Sequence, residues 1–185
     1  MSISSKTEAT IDDLYRVPEH GKAEIVDGEI VRMCPTGFRP GRVAGKIFAS
    51  MNRHEEDRGG GYALGDNVGF IVDLPNRRSY SPDAAWFVGE PTGMKFLNGA
   101  PAFAVEVRSE DDYGPAAERR LARKRADYFA AGTQVVWDVD LLSEDVVRVY
   151  RATDPERPAI YRRGDIAEAE PAVPGWTMPV DDLFR

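Results

Sequence analysis

Three stretches decide how this chain folds: SPDAAWF (81–87), FAVEVRSEDD (103–112) and RKRADYFAAGTQVVWDVD (123–140). The first two contain strand signals, Asp83–Val88 and Ala102–Val107. The third runs from the end of a helix through Gly132 into a further strand, Gln134–Val139. Within 102–107, Ala104 and Glu106 share one face while Val105 and Val107 share the other. Glu106 is thus one acid in an apolar strand, and Asp83 stands at the start of another, directly after Pro82. An ionised carboxylate on a sheet face needs a cation, a basic partner or a wet cleft. Two such acids aimed at one point suit a hard divalent ion such as Mg²⁺, with water and substrate phosphate completing its shell. The competing reading pairs Glu106 with an arginine of the 119–125 cluster, as structure only.

Outward from this centre, Pro115–Ala131 reads as a helix, opened by proline and closed by Gly132. Apolar residues Val43, Ala44, Ile47, Phe48 and Met51 recur at helical spacing from Gly41 until Gly59-Gly60-Gly61 ends the run. Those glycines end a helix instead of opening one, so they are a turn and not a phosphate cradle. Thr10 caps a short helix through Arg16. Glu24–Val26 and Glu29–Met33 form a hairpin about the Asp27-Gly28 turn. Tyr62–Leu64, Val68–Val72 and Asp145–Arg151 are further strands, and the tail ends in a turn around Asp181–Phe184. Two main helices and seven or eight strands give an α+β (α/β-like) class with a mixed β-sheet. Residues 1–9 are expected to be loose and 10–185 to form one domain. Tyr128, Phe129, Trp137 and Trp86 are expected in the core, and His20 and His54 at the surface.

The chain has 185 residues, 42% of them apolar, which excludes disorder of the whole. No run approaches the ~20 apolar residues of a membrane span. The first twenty residues show no secretory pattern, and a lone Cys34 fits a reducing, cytoplasmic setting. One cysteine and two histidines exclude a Cys- or His-built metal cage, so any metal is held by carboxylates. A net charge of −7 weighs against general nucleic-acid affinity, yet AAERRLARKR (116–125) concentrates positive charge on one segment.

P-D (82–83), V-E-V-R-S (105–109), K-R-A-D-Y-F-A-A-G-T-Q-V-V-W-D-V-D (124–140), A-E-I-V-D-G-E-I-V (23–31) and M-C-P-T (33–36) occur in an order that resembles the Uma-type family of putative restriction endonucleases. That family belongs to the PD-(D/E)XK nuclease superfamily. The resemblance implies a restriction-endonuclease-like core with an added N-terminal hairpin, and hydrolysis of DNA phosphodiesters with Mg²⁺ or Mn²⁺. By residue match, Asp83 and Glu106 would hold the metal, and Lys124, on the following helix, would position the attacking water or the oxyanion. Glu24 would either reach the same cleft as a third acid or serve structurally at a strand edge, with Arg108, Arg120 and Arg123 contacting substrate. A homodimer is implied too. Two departures stand out: F-R-P-G-R-V (38–43) lacks the histidine common in the family, and R-S-E-D-D (108–112) replaces its serine-proline. Two rival functions share the same acids. One is a catalytically silent relative that binds nucleic acid or protein, and the other a hydrolase of a different phosphate ester.

Overall fold

The computed structural model describes residues 8–18 and 21–185, so His20 and most of the expected loose N-terminus lie outside the described residues. Thr10 caps helix α1 (Ile11–Tyr15) through a capping box with Asp13. Strands β1 (Ala23–Val26) and β2 (Glu29–Arg32) form the hairpin, with Asp27 at φ 50° and Gly28 at φ 74° in its two-residue turn. Helix α2 spans Phe38–Arg58. It starts three residues before Gly41, and Pro40 is accommodated because it lies in the first turn, where no N–H is needed.

The remaining strands are β3 (Tyr62–Leu64), β4 (Phe70–Leu74), β5 (Arg77–Tyr80), β6 (Ala84–Phe87), β7 (Leu97–Asn98) and β8 (Phe103–Val107), followed by helix α3 (Pro115–Ala130). Beyond it come β9 (Val135–Val139), β10 (Val147–Arg151), β11 (Asp154–Tyr161), β12 (Ile166–Glu168), β13 (Thr177–Pro179) and a 3-10 turn, Val180–Phe184. The class is α+β with mixed sheets, but the described residues form thirteen strands instead of the expected seven or eight. Strand β5 (RRSY) escapes a hydropathy reading because its inward residues, Arg77 and Ser79, are polar and hydrogen-bonded: Ser79 Oγ accepts from Ile25 N at 2.8 Å. Strand β11 carries Pro155 and Pro158 and is tolerated at the edge of its sheet.

One sheet has the order β2-β1-β5-β4-β7, a second β11-β10-β9-β8-β6-β3, and β12 pairs with β13. The chain passes from the first sheet to the second at Ser81-Pro82-Asp83, between β5 and β6. Strand β6 runs antiparallel to β8 with Ala84 opposite Val105, so one step back places Asp83 opposite Glu106. Strand β8 runs parallel to β9 with Glu106 opposite Asp138. On one side of this second sheet, Val43, Ile47 and Met51 of α2 pack with Trp86, Phe103, Val105, Trp137 and Trp176. Gly61 is required there: a Cβ would lie 2.4 Å from Trp86 Nε1. On the other side, Phe70, Tyr80, Ala104, Tyr128 and Val136 fill the space between the sheets and α3. The two faces of β8 are therefore unequal. Its valines complete the larger core, while Ala104 and Glu106 face α3.

Candidate active site

The glutamate face of β8 is where both sheets and α3 converge. Lys124 and Tyr128 are one helical turn apart on α3, so both reach Glu106: Lys124 Nζ is 2.8 Å and Tyr128 Oη 2.6 Å from Glu106 Oε1. Lys124 Nζ also lies 3.1 Å from Glu24 Oε1. Glu24 is buried on β1, where it accepts from Ser81 N at 2.9 Å and pairs with Arg77 at 2.5 Å. Arg77 in turn donates to Asp127 at 2.9 Å. Asp83 accepts from Val107 N through Oδ2 at 2.8 Å, which fixes the carboxylate against the end of β8. Its Oδ1 receives Lys22 Nζ at 2.8 Å, and the same ammonium is 2.6 Å from Asp66 Oδ1.

Two linked chains of charge result. Asp66, Lys22 and Asp83 form one, with two carboxylates to one ammonium. Glu106, Lys124, Glu24, Arg77 and Asp127 form the other, with three carboxylates to two cations. With every acid ionised, each chain carries one more negative than positive charge. Burial, reinforced by the charges of Asp83 and Glu24, raises the Glu106 pKa above its ordinary value in spite of Lys124. Burial also works against the charge on Glu24, but Lys124, Arg77 and the Ser81 amide outweigh it and hold the carboxyl below its usual range. In Lys124, desolvation is overcome by Glu106 and Glu24, so its ammonium is held protonated beyond the ordinary lysine range. Lys22 behaves likewise, through Asp83 and Glu106. Tyr128, desolvated and facing Glu106, stays a neutral hydroxyl donor.

Among the described residues no group of three or more His, Cys, Asp or Glu is arranged to hold a metal ion. A self-sufficient cage is therefore the wrong comparison. Mg²⁺ commonly takes one or two carboxylates and completes its shell with water and phosphate. Asp83 and Glu106 fit that role. They are hard oxygen donors on adjacent strands, their side chains keep 20% and 17% of their surface exposed, and Glu106 Oε2 accepts no hydrogen bond from the described residues.

The structure thus brings Asp83, Glu106, Lys124 and Glu24 together. The three arginines read as substrate contacts sit elsewhere. Arg108 is buried and gives both edges of its guanidinium away, at 2.7 and 2.8 Å to Asp138 and through further bonds to Glu118. Arg120 bonds Asp112 and the Asp111 carbonyl, and Arg123 bonds Asp27 at the hairpin turn. The structural alternative for Glu106 is half met: its partner comes from the 119–125 segment but is Lys124, not an arginine. Asp112 is turned into its own loop, onto Ser109.

Sequence reasoning missed Lys22, Asp66, Arg77 and Asp127, and read Tyr128 as packing alone. Lys22 and Glu24 are two apart at the start of a strand, a spacing that places both on one face. Asp66 and Arg77 carried no comparable signal, because their partners lie far along the chain. His54 is half-buried, its ring edge-on to Trp86 at 5.9 Å.

A family model described as Uma2, putative restriction endonuclease, matches residues 11–181. Solved structures that resemble the fold include a putative nuclease of DUF820 from Anabaena variabilis ATCC 29413. The two chains are 18% identical, with a TM-score of 0.74 over 95% of this chain and 97% of that one. At that identity the likeness establishes a shared fold, and it fits a restriction-endonuclease-like architecture. No curated protein matches the sequence.

Proposed function

This chain belongs to the Uma2 family of putative restriction endonucleases, and from that premise we propose that it is a Mg²⁺- or Mn²⁺-dependent endonuclease that hydrolyses DNA phosphodiester bonds. The observation that supports this most is the pair Asp83, directly before β6, and Glu106 on β8, in facing register and each in an ion-pair chain with one more negative than positive charge. A divalent ion held there would lower the pKa of a bound water and neutralise charge on the scissile phosphate.

The chain's own residues divide the remaining work. Asp83 and Glu106 bind the ion, Asp83 oriented by the Val107 amide and Glu106 by Tyr128 Oη. Lys124 keeps its proton in this setting, which makes it a donor to the pentavalent oxyanion and not a base. Glu24, pinned by Arg77 and Ser81 N, holds the Lys124 ammonium in place. Arg77 and Asp127 brace Glu24 from behind. Substrate contacts from Arg108, Arg120 and Arg123 are not part of this reading. Residues 10–185 act in it as one nuclease-like domain, and a symmetric dimer would let each subunit cut one strand of a duplex.

A catalytically silent binding module is favoured by one observation: Asp83 and Glu106 already hold ammonium groups. Thermal stabilisation by Mn²⁺ and cleavage of plasmid DNA decide between the two. Asp83→Ala and Glu106→Ala are expected to abolish both responses while keeping the fold. Cleavage at the unaltered rate by the Asp83 variant would remove the assignment.

A further inference from the structure

Lys22, at the base of the hairpin, reaches Asp83, while Lys124 on α3 reaches Glu106. Its main chain is fixed, the carbonyl accepting from Met33 N at 2.9 Å at the open end of the hairpin. Its ammonium bridges Asp66 Oδ1 and Asp83 Oδ1 and lies within electrostatic reach of Glu106. Asp83 Oδ2 already accepts from the Val107 amide, which leaves Oδ1 as the oxygen more open to an incoming cation, and Lys22 holds it. The two lysines differ in how firmly they are held. Lys124 is clamped between Glu106 and a Glu24 that is itself buried and pinned, whereas Lys22 ends on Asp66, whose side chain is 44% exposed. An ammonium on a flexible four-carbon stem exchanges partners readily, as a guanidinium forked onto one carboxylate does not.

We propose, resting on the nuclease reading above, that Lys22 is a phosphate-binding residue that makes metal and substrate binding depend on each other. Without substrate its ammonium neutralises Asp83. When a phosphodiester enters, the ammonium passes to the anionic phosphate oxygens and leaves Asp83 Oδ1 to the divalent ion. Lys22 stays protonated throughout, so the exchange moves a charge and transfers no proton. Each ligand then binds more tightly when the other is present, by the same factor.

The test is a titration of the full chain with Mn²⁺, free ion being followed by electron paramagnetic resonance. It is run alone and with a short phosphorothioate-substituted DNA duplex, which keeps the backbone charge and is cut slowly. In the unaltered protein the duplex is expected to lower the Mn²⁺ midpoint about tenfold. In Lys22→Met, Mn²⁺ alone binds more tightly than to the unaltered protein, and the duplex moves the midpoint by much less, through direct phosphate ligation of the ion alone. Lys22→Gln replaces it if the methionine variant melts early. A Lys22 variant that keeps the full duplex-dependent shift, or binds Mn²⁺ alone no more tightly, overturns the exchange and leaves the nuclease reading standing. An unaltered protein that binds no Mn²⁺ under either condition overturns the nuclease reading, and the exchange with it.

Discussion

Replacing Lys124 with methionine keeps the length of the side chain and removes its charge. Glu24 keeps Arg77 and the Ser81 amide, but Glu106 is left with the Tyr128 hydroxyl alone. Removing one partner of a buried ion pair costs about 3–5 kcal/mol when the other charge has nowhere to go. Glu106 has an escape, which is to take up a proton. From an ordinary value of 4.5, protonating it at pH 7 costs at most about 3.4 kcal/mol, at 1.36 kcal/mol per pH unit. Burial already raises that pKa, so the ceiling is lower, and a destabilisation of about 2–3 kcal/mol is expected at pH 7.

The sign with pH follows. In the unaltered protein the raised Lys124 pKa contributes stability that is fully present below 10.5 and is lost only as pH rises through the higher folded value. In the variant, Glu106 is protonated in the native state at low pH and strained when ionised. The gap between the two proteins therefore widens as pH rises from about 5 to 8. Urea denaturation at several pH values measures it, and Glu106→Gln added to Lys124→Met should recover most of the loss. A gap that is the same at pH 5 and pH 8, or a double variant no more stable than the single, would refute the reasoning.

Three further outcomes are expected. Because burial raises the Glu106 pKa, Mn²⁺ affinity should fall on acidification as Glu106 gains its proton; isothermal titration between pH 5 and 8 checks this. Arg108→Met leaves Asp138 buried with only Arg125 nearby at 3.6 Å, so it should lower stability by about 3–5 kcal/mol, while the folded protein keeps its cleavage rate per molecule. Trp176→Ala empties a site against Phe103 and Trp137, at ring distances of 5.7 and 5.1 Å, and should cost about 3–5 kcal/mol by thermal or urea melting.

How much of this was legible in the sequence depended on how local each signal is. The hairpin turn, the Thr10 cap, α3 and the strands around Glu106 were readable because turn chemistry and side-chain periodicity act over a few residues. The tail was not: Ala167, Val173, Trp176, Met178 and Leu183 lie in the larger core, but prolines and acids between them hide any period. In the candidate site, Asp83 and Glu106 stood out as acids in apolar strands, and the structure places them in adjacent register. Arg108 is held by a contact the sequence does not show. It sits two residues beyond Glu106, yet the parallel neighbour β9 supplies Asp138, and that long-range pair captures the guanidinium. Lys22 and Asp66 meet only because the hairpin and the β3–β4 loop are brought together in three dimensions, 44 residues apart.

The account stands or falls on whether Asp83 and Glu106 share a divalent ion. Crystals of the complex with the phosphorothioate duplex, soaked in Mn²⁺ and measured at a wavelength where manganese scatters anomalously, test this directly. The expected result is one anomalous peak within bonding distance of oxygens from both carboxylates, with the Lys22 ammonium withdrawn from Asp83. A map with no peak there at millimolar Mn²⁺, and Lys22 still seated on Asp83 Oδ1, would contradict it.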